Sequence, residues 1–136
     1  MAYLENARLS IYPDRATQTA KVTVRCEVCF SEGEMAIMRR RPEYIYFQID
    51  CRLFGKDFNR IDFLDSDDWI YTYPTKFFPA ENIKQVESVC LEATLSLGLL
   101  NEDVIGTDEI YARLMLKGRY CFQDQFVSEE TGVVAC

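Results

Sequence analysis

The sequence of 136 residues contains no histidine. A chain without histidine cannot form a Ser-His-Asp or Cys-His relay, cannot build a histidine-containing zinc site, and has no unperturbed side chain that changes charge near pH 6.5. We therefore predict a non-enzymatic protein without a cofactor. A hydrolase that works through carboxylates alone is an alternative hypothesis.

Other absences narrow the class of protein further. No apolar run approaches the 18 or so residues of a membrane span, so we expect no integral membrane segment. The N-terminal residues lack the pattern of a secretory signal, and we expect a cytoplasmic protein whose six cysteines are thiols. Basic residues are outnumbered, 15 against 22 acidic ones, for a net charge of −7. This charge argues against a nucleic-acid partner, because phosphate binding needs a basic face.

The residues that are abundant favour strands. Hydrophobic residues make up 49% of the chain, which is enough for an ordered core. Eight tyrosines and nine phenylalanines, together with β-branched residues, favour strands over helices. We expect a single domain over residues 1–127, followed by a flexible tail over 128–136.

Apolar and polar residues alternate in several short segments, and this alternation predicts strands. In the segment 44–53 the alternation places Ile45 and Phe47 inward and Tyr44 and Tyr46 outward. The turn at 31–34 is predicted to lead into a short edge strand over 35–38. The main predicted strands are 7–12, 20–31, 44–53, 69–73 and 109–117. Six to eight strands with turns at regular spacing indicate an all-β fold, an antiparallel β-sandwich.

Residues 79–97 fit two descriptions. Pro79 suits the first position of a helix, and Gly98 suits a helix C-terminus. Apolar residues nevertheless alternate without a break from Val89 to Leu97, as in a strand. We predict at most one short helix, near 80–86, followed by a strand.

Cys26 and Cys29 have the spacing of a redox or zinc motif. On a strand, residues three apart point to opposite faces, so the two thiols are predicted to lie apart. No second pair of this kind supplies further zinc ligands. We interpret them as two unconnected cysteines.

Two acidic segments, 62–68 and 101–109, carry clustered carboxylates. The simplest interpretation is that both are solvated hairpin tips. The alternative is a calcium site, because calcium prefers hard oxygen ligands on loops. An EF-hand is excluded, because residue 112 is alanine where a bidentate glutamate is required. The candidate metal ligands are Asp65, Asp67, Asn101, Asp103 and Glu109.

The segment 101–112 resembles a calcium-binding loop of the C2 domain, a β-sandwich family that docks on phospholipid. Asn101, Asp103 and Glu109 fall where that family places ligands. Asn101 and Glu109 replace aspartates of the family pattern, and Ala112 replaces its closing glycine. The resemblance implies a sandwich fold. The alternative function that it suggests is calcium-dependent binding of phospholipid or another ligand through the acidic segments 62–68 and 101–109.

Aromatic residues that face outward form the remaining candidate. Such a sheet face, beside acidic loops, suits contact with another protein or with a carbohydrate. The opposite interpretation is that the aromatic residues of 69–73 belong to the core, since neither face of that segment is polar. The candidate partner-binding residues are Tyr44, Tyr46, Trp69, Tyr71 and Tyr73. We predict an interaction module that contacts a protein partner or a second copy of itself.

Overall fold

A computed structural model of the chain describes residues 2–56, 68–79, 81–100, 109–119, 127–132 and 134–135. These ranges contain nine strands and two helices. Along the chain they are β1 (Tyr3–Asp14), β2 (Thr19–Cys29), α1 (Glu32–Arg40), β3 (Phe47–Lys56), β4 (Asp68–Thr72), β5 (Lys76–Phe78), β6 (Val86–Ser96), α2 (Leu97–Leu100), β7 (Glu109–Gly118), β8 (Val127–Glu130) and β9 (Val134–Ala135).

The strands form two antiparallel sheets, so the predicted all-β, sandwich-like fold is confirmed. The small sheet has the order β1-β2-β6. The large sheet has the order β4-β3-β7-β8, with β5 also paired to β3 and β9 also paired to β7. Strand β1 lies against β7, β8 and β9, which places that edge of the small sheet beside the large sheet.

The core fills the space between the inner faces of the two sheets. Alternate residues of β2, β3 and β7 are buried, as the period of two in a strand requires. They are Ala20, Val22, Val24, Cys26 and Val28 on β2, Ile49, Cys51 and Leu53 on β3, and Ile110, Ala112, Leu114 and Leu116 on β7. Phe30, Phe47 and Phe78 close one end, and the Phe30 ring centroid lies 5.2 Å from that of Phe47 and 5.5 Å from that of Phe78. The strands predicted over 20–31 and 109–117 are confirmed.

A buried hydrogen bond joins the two sheets. The Tyr73 hydroxyl, at the end of β4, donates to the carbonyl oxygen of Val22 on β2 at 2.8 Å. The Tyr73 backbone N–H donates to Cys51 O of β3 at 3.0 Å, which fixes the ring at the edge of the large sheet. Burial raises the pKa of Tyr73 above its ordinary value, so the hydroxyl keeps its proton and remains a donor.

The prediction of a turn and a short edge strand over 31–38 is wrong, because Glu32–Arg40 is a helix. Its N-terminus is a capping box: the Glu34 N–H donates to Ser31 Oγ at 3.2 Å, and the Ser31 N–H donates to Glu34 Oε1 at 2.7 Å. The other Glu34 oxygen accepts from Ala2 N at 3.0 Å. Met35 and Met38 share the buried side of the helix. The helix is therefore capped locally and held against the start of β1.

The strand predicted after residue 86 is confirmed as β6, but no helix is found near 80–86 in the described residues. Residues 81–82 form a turn, and Asn82 has a positive φ of 55°. The Lys84 N–H donates to Glu87 Oε1 at 2.7 Å, so this segment is fixed by a side chain rather than by a helical ladder.

The predicted sides of Ile45 and Tyr46 are exchanged in the structure. Ile45 is 41% exposed, whereas Tyr46 is 1% exposed. Regular pairing begins only at Phe47, so the two residues before it do not follow the alternation of β3. The Tyr46 N–H donates to Phe78 O at 2.9 Å, and its hydroxyl donates to Arg41 O at 3.1 Å. These bonds turn the tyrosine into the core.

Within the segment predicted as a tail, the described strands β8 and β9 pair with β7. Thr131, between these strands, is buried. Its N–H donates to Ala112 O at 3.0 Å, and its hydroxyl accepts from Ala112 N at 2.9 Å. This part of the chain belongs to the edge of the large sheet.

The bond between the sheets gives a stability prediction. Tyr73→Phe removes the hydroxyl that contacts Val22 and should lower the free energy of unfolding by about 1 kcal/mol. Tyr71→Phe is the matched control, because the Tyr71 ring packs against Tyr73 at 5.0 Å and its hydroxyl makes no hydrogen bond to the described residues. Urea unfolding measures both variants. Equal losses in the two variants would contradict a bond between the sheets.

Candidate interaction surface

The outer face of the large sheet is defined by the residues that alternate with its buried ones. The register places Phe54 between Trp69 of β4 and Tyr111 of β7. The next outward row contains Arg52 and Arg113, which are directly opposite each other. We call these five residues, Arg52, Phe54, Trp69, Tyr111 and Arg113, the aromatic face.

The solvent exposure of the rings in the aromatic face increases from Tyr111 through Phe54 to Trp69. Tyr111 is buried, Phe54 is half-buried, and Trp69, on edge strand β4, is 59% exposed. Phe54 stacks on Tyr111 with ring centroids 5.6 Å apart and an interplanar angle of 23°. The Trp69 indole N–H donates to Thr72 Oγ1 at 2.8 Å. The indole is therefore held in place by a hydrogen bond while the residue remains more than half exposed.

Two arginines border the rings. The Arg113 guanidinium lies 5.0 Å from the centre of the Phe54 ring, within the range of a cation–π contact. Its Nε and Nη2 donate to Glu130 Oε1 of β8 at 3.1 Å and 3.0 Å. Arg52 is exposed and forms no ion pair with any described residue. These two positions thus present one neutralised guanidinium and one without an ionic partner among the described residues.

The other end of the same sheet face has a second aromatic residue beside a cation. Phe77 of β5 is 44% exposed. The Arg119 guanidinium lies 6.0 Å from the Phe77 ring and donates to Gln48 Oε1 at 3.1 Å. Arg119 has no carboxylate partner among the described residues. Exposed apolar rings and unneutralised arginines therefore occur at both ends of this face.

Asp50 lies between the two ends and carries a perturbed pKa. Partial burial raises the pKa of its carboxyl, but hydrogen bonds from Thr75, Lys117 and Gln48 lower it more, and the net pKa is below the ordinary value. Thr75 Oγ1 lies at 2.8 Å from Oδ1, and Lys117 Nζ at 3.1 Å from Oδ2. Asp50 is therefore a structural anion that joins β3, β7 and the segment before β5.

The structure separates the five aromatic residues that the sequence grouped. Trp69 lies on the outer face as predicted, but Tyr73 is in the core, and the expectation that Tyr46 faces outward is wrong. Tyr71 is opposite Leu53, so its half-buried ring faces inward. Tyr44 is half-buried and packs edge-on against Tyr46 at 6.5 Å. Only Trp69 of the predicted set belongs to the aromatic face.

The candidate metal residues Asp65, Asp67, Asn101 and Asp103 lie outside the described residues. Glu109 begins β7, opposite Lys56 of β3 in the register. No group of three or more potential metal ligands occurs in the part of the chain that the structure describes. Glu109 alone provides no metal site.

The two cysteines of the CxxC pattern lie on opposite faces of β2, as predicted. Cys26 is in the core, where burial raises the pKa of its thiol to about 12. Cys29 lies opposite Tyr3 of β1, with its Sγ 3.4 Å from Glu5 Oε1. Burial also raises the pKa of Cys29. Neither thiol has the low pKa of a redox nucleophile.

A cleft of about 560 Å³ separates the end of α1 from the turn after Pro79. Met38 and Ile83 supply apolar walls, and Arg39 and Glu81 supply opposite charges. Both charged side chains are exposed. The cleft therefore selects no charge class of ligand, unlike the outer face of the large sheet, where Arg52 and Arg119 have no carboxylate partner among the described residues.

Comparison with family models, with curated proteins and with solved structures gives no match. No helix within the described ranges has the length and apolar character needed to span a membrane. The inference about function therefore rests on the chemistry of the surface itself.

Sequence reasoning missed Phe54, Tyr111 and Arg113. Each directly follows a buried residue of its strand, so alternation alone could have identified them. Phe54 was missed because the predicted third strand ended at Leu53, whereas β3 continues to Lys56. Which strands are neighbours cannot be derived from alternation, and only the pairing of β3 with β4 and β7 brings these rings together.

The lowered pKa of Asp50 gives a pH-dependent prediction. A carboxylate whose pKa is lower in the folded than in the unfolded chain stabilises the fold at neutral pH, and this stabilisation is lost as the pH falls through the range below about 4. Asp50→Asn should therefore lower stability at pH 7, and its difference from the original chain should shrink toward about pH 3. Urea unfolding over this range measures the difference.

Glu43→Gln is the control, since Glu43 is an exposed carboxylate without a described partner. It should change stability little at either pH. A difference for Asp50→Asn that stays constant with pH would show that the carboxylate charge does not stabilise the fold.

Proposed function

We propose that the protein is a non-enzymatic binding module that contacts an acidic surface of a protein partner through the aromatic face. The observation that carries the proposal is the exposed indole of Trp69 in one row with Phe54 and Tyr111. The lack of histidine in the sequence supports binding rather than catalysis, because acid–base relays at neutral pH most often use that residue.

The composition of the aromatic face is that of an interface centre. Tryptophan, tyrosine and arginine are the residues that most often dominate binding energy. An indole anchored by a hydrogen bond loses little conformational freedom on binding, so most of the free energy gained by burying it is retained. The stacked rings of Phe54 and Tyr111 provide a rigid apolar floor beside it.

The charges of this sheet face favour an acidic partner. Arg113 and Lys117 have carboxylate partners in Glu130 and Asp50. Arg52 and Arg119 have none among the described residues, although the whole chain carries a net charge of −7. A partner that places carboxylates opposite these two guanidinium groups would neutralise them and gain charge-assisted hydrogen bonds.

Selection of peptides from a random displayed library tests this proposal directly. Peptides are selected on the immobilised full chain, and their affinities are measured by titration. We expect selected peptides to be rich in acidic and aromatic residues. Trp69→Ala should weaken their binding by about 2 kcal/mol or more, which is roughly 30-fold in Kd.

Tyr12→Ala is the matched control, because Tyr12 is an exposed aromatic residue, 64% accessible, on the outer face of the small sheet. Tyr12→Ala should leave the affinities of the selected peptides unchanged. Arg52→Ala should weaken the binding of the acidic peptides in particular. Selected peptides that bind the Trp69 variant as tightly as the original chain would refute the proposed surface.

A further inference from the structure

Strand β6 forms an open edge of the small sheet. It pairs with β2 over its full length, Val86–Ser96, in an unbroken register. Its other side pairs with no strand in the described part of the chain. The opposite edge of this sheet, β1, lies against β8 of the large sheet. Of the two edges, β6 is therefore the one that is not covered by a described element.

Two hydrogen bonds at the ends of β6 determine which of its backbone N–H and C=O groups point to β2 and which point to the open edge. The Leu97 N–H donates to Gln18 O at 3.0 Å, and the Phe30 N–H donates to Gln85 O at 2.8 Å. Bonded and non-bonded pairs alternate along an antiparallel ladder. Both ends thus assign the odd-numbered residues of β6 to the bonds with β2. The even-numbered residues turn their N–H and C=O groups to the open edge: Val86, Ser88, Cys90, Glu92, Thr94 and Ser96.

This edge has few of the features that prevent pairing with another chain. Proline, lysine, bulges and inward charges are the usual protections of an edge strand. The large sheet has such a protection, since Pro74 interrupts the edge formed by β4 and β5. Strand β6 contains no proline, lysine or register shift. Glu87, opposite Val28, is an inward charge near the first end of the strand, where its Oε1 accepts from Lys84 N. The outward Glu92 pairs with Lys21 at 3.4 Å.

The inner side of the edge is also incomplete. Leu91 and Ala93 point to the core side of the small sheet, opposite Val24 and Val22, and yet both remain half-buried. Their counterparts on the central strand are fully buried. Another strand beside β6 would cover this apolar surface and would satisfy the open backbone groups at the same time.

We propose that β6 pairs antiparallel with β6 of a second copy of the chain, about a two-fold axis at Leu91. Full overlap of the two strands places the axis there and aligns the outward-turned backbone groups of both copies. Cys90 then lies opposite Glu92 of the second copy, and Ser88 lies opposite its Thr94. On the inner side Leu91 meets Leu91, and Val89 meets Ala93. No pair in this register opposes like charges, so the strand is complementary to itself.

Disulfide trapping tests the proposed register. Leu91→Cys is made in a full chain in which Cys90, Cys121 and Cys136 are replaced by serine. Across the axis the two introduced thiols would belong to a non-hydrogen-bonded pair with Cα atoms about 4.5 Å apart, within the range of a disulfide. Mild oxidation should therefore convert most of this variant into a covalent dimer.

Leu9→Cys in the same background is the matched control, because Leu9 is a half-buried, inward-facing residue of the other edge strand. It should stay monomeric on oxidation. Failure of a folded Leu91→Cys chain to form the disulfide, or equal cross-linking of the control, would overturn the register.

The molar mass in solution gives a second readout that does not depend on the new cysteine. Light scattering should give twice 15.8 kDa for the original chain, and half of that for Ser88→Pro, which removes one outward N–H without touching the β2 ladder. A monomeric original chain would overturn the proposal. Trp69→Ala should leave the dimer intact, so the outcome is independent of the function proposed for the aromatic face.

Discussion

The apolar contact between β2 of the small sheet and the β3–β7 pair of the large sheet determines most other features of the molecule. The inward residues of these three strands are almost completely buried. Because side chains alternate along a strand, burial of one set turns the intervening set to the outer face of the sheet. A shift of one residue in any of the three strands would place charged side chains such as Lys21 or Arg52 in the core. The register is therefore strongly specified by burial.

The same constraint produces two different outer surfaces. On the small sheet the outward residues of β2 include Lys21, Thr23, Arg25 and Glu27, a polar set without aromatic rings. On the large sheet Phe54 and Tyr111 stack, and Trp69 extends the row to the edge. The outer face of the small sheet has exposed tyrosines, Tyr3 and Tyr12, only on its edge strand β1, whereas the large sheet carries a continuous row of rings. The open edge of β6 is a separate backbone feature of the small sheet.

The sequence predicted those parts of the fold that depend on long alternation. Strands β2, β6 and β7 each keep the pattern over ten or more residues, so neighbouring contacts do not override it. The helix Glu32–Arg40 was missed because its signals are short. Ser31 and Glu34 form its capping box, and Met35 and Met38 form its apolar side. These four signal residues between two predicted strands are equally compatible with a turn followed by a short edge strand. The side of Tyr46 was predicted wrongly because its orientation depends on two hydrogen bonds that alternation does not reveal. One is to Phe78, which is distant in the sequence, and the other is to Arg41, which lies in an irregular segment.

The candidate surface was predictable only in part. Trp69 was identified because it lies on the predicted strand 69–73, where an aromatic ring points either to the core or to the outer face. Its neighbours Phe54 and Tyr111 come from strands that are distant in the sequence, and strand order is set by packing rather than by local pattern. The assignment of Tyr73 to a surface failed because its hydroxyl has a buried acceptor in Val22, a contact between the sheets that no single strand reveals.

The exposure of Trp69 is the central claim, and the chain is suited to a direct measurement because it contains one tryptophan. Acrylamide quenching of the intrinsic fluorescence of the dilute, folded chain reports on that indole alone. With Trp69 59% exposed, emission should be at long wavelength, and the quenching constant should be more than half of that in the urea-unfolded chain. A short-wavelength emission that acrylamide barely quenches would mean that Trp69 is buried, and the aromatic face would not be available to a partner.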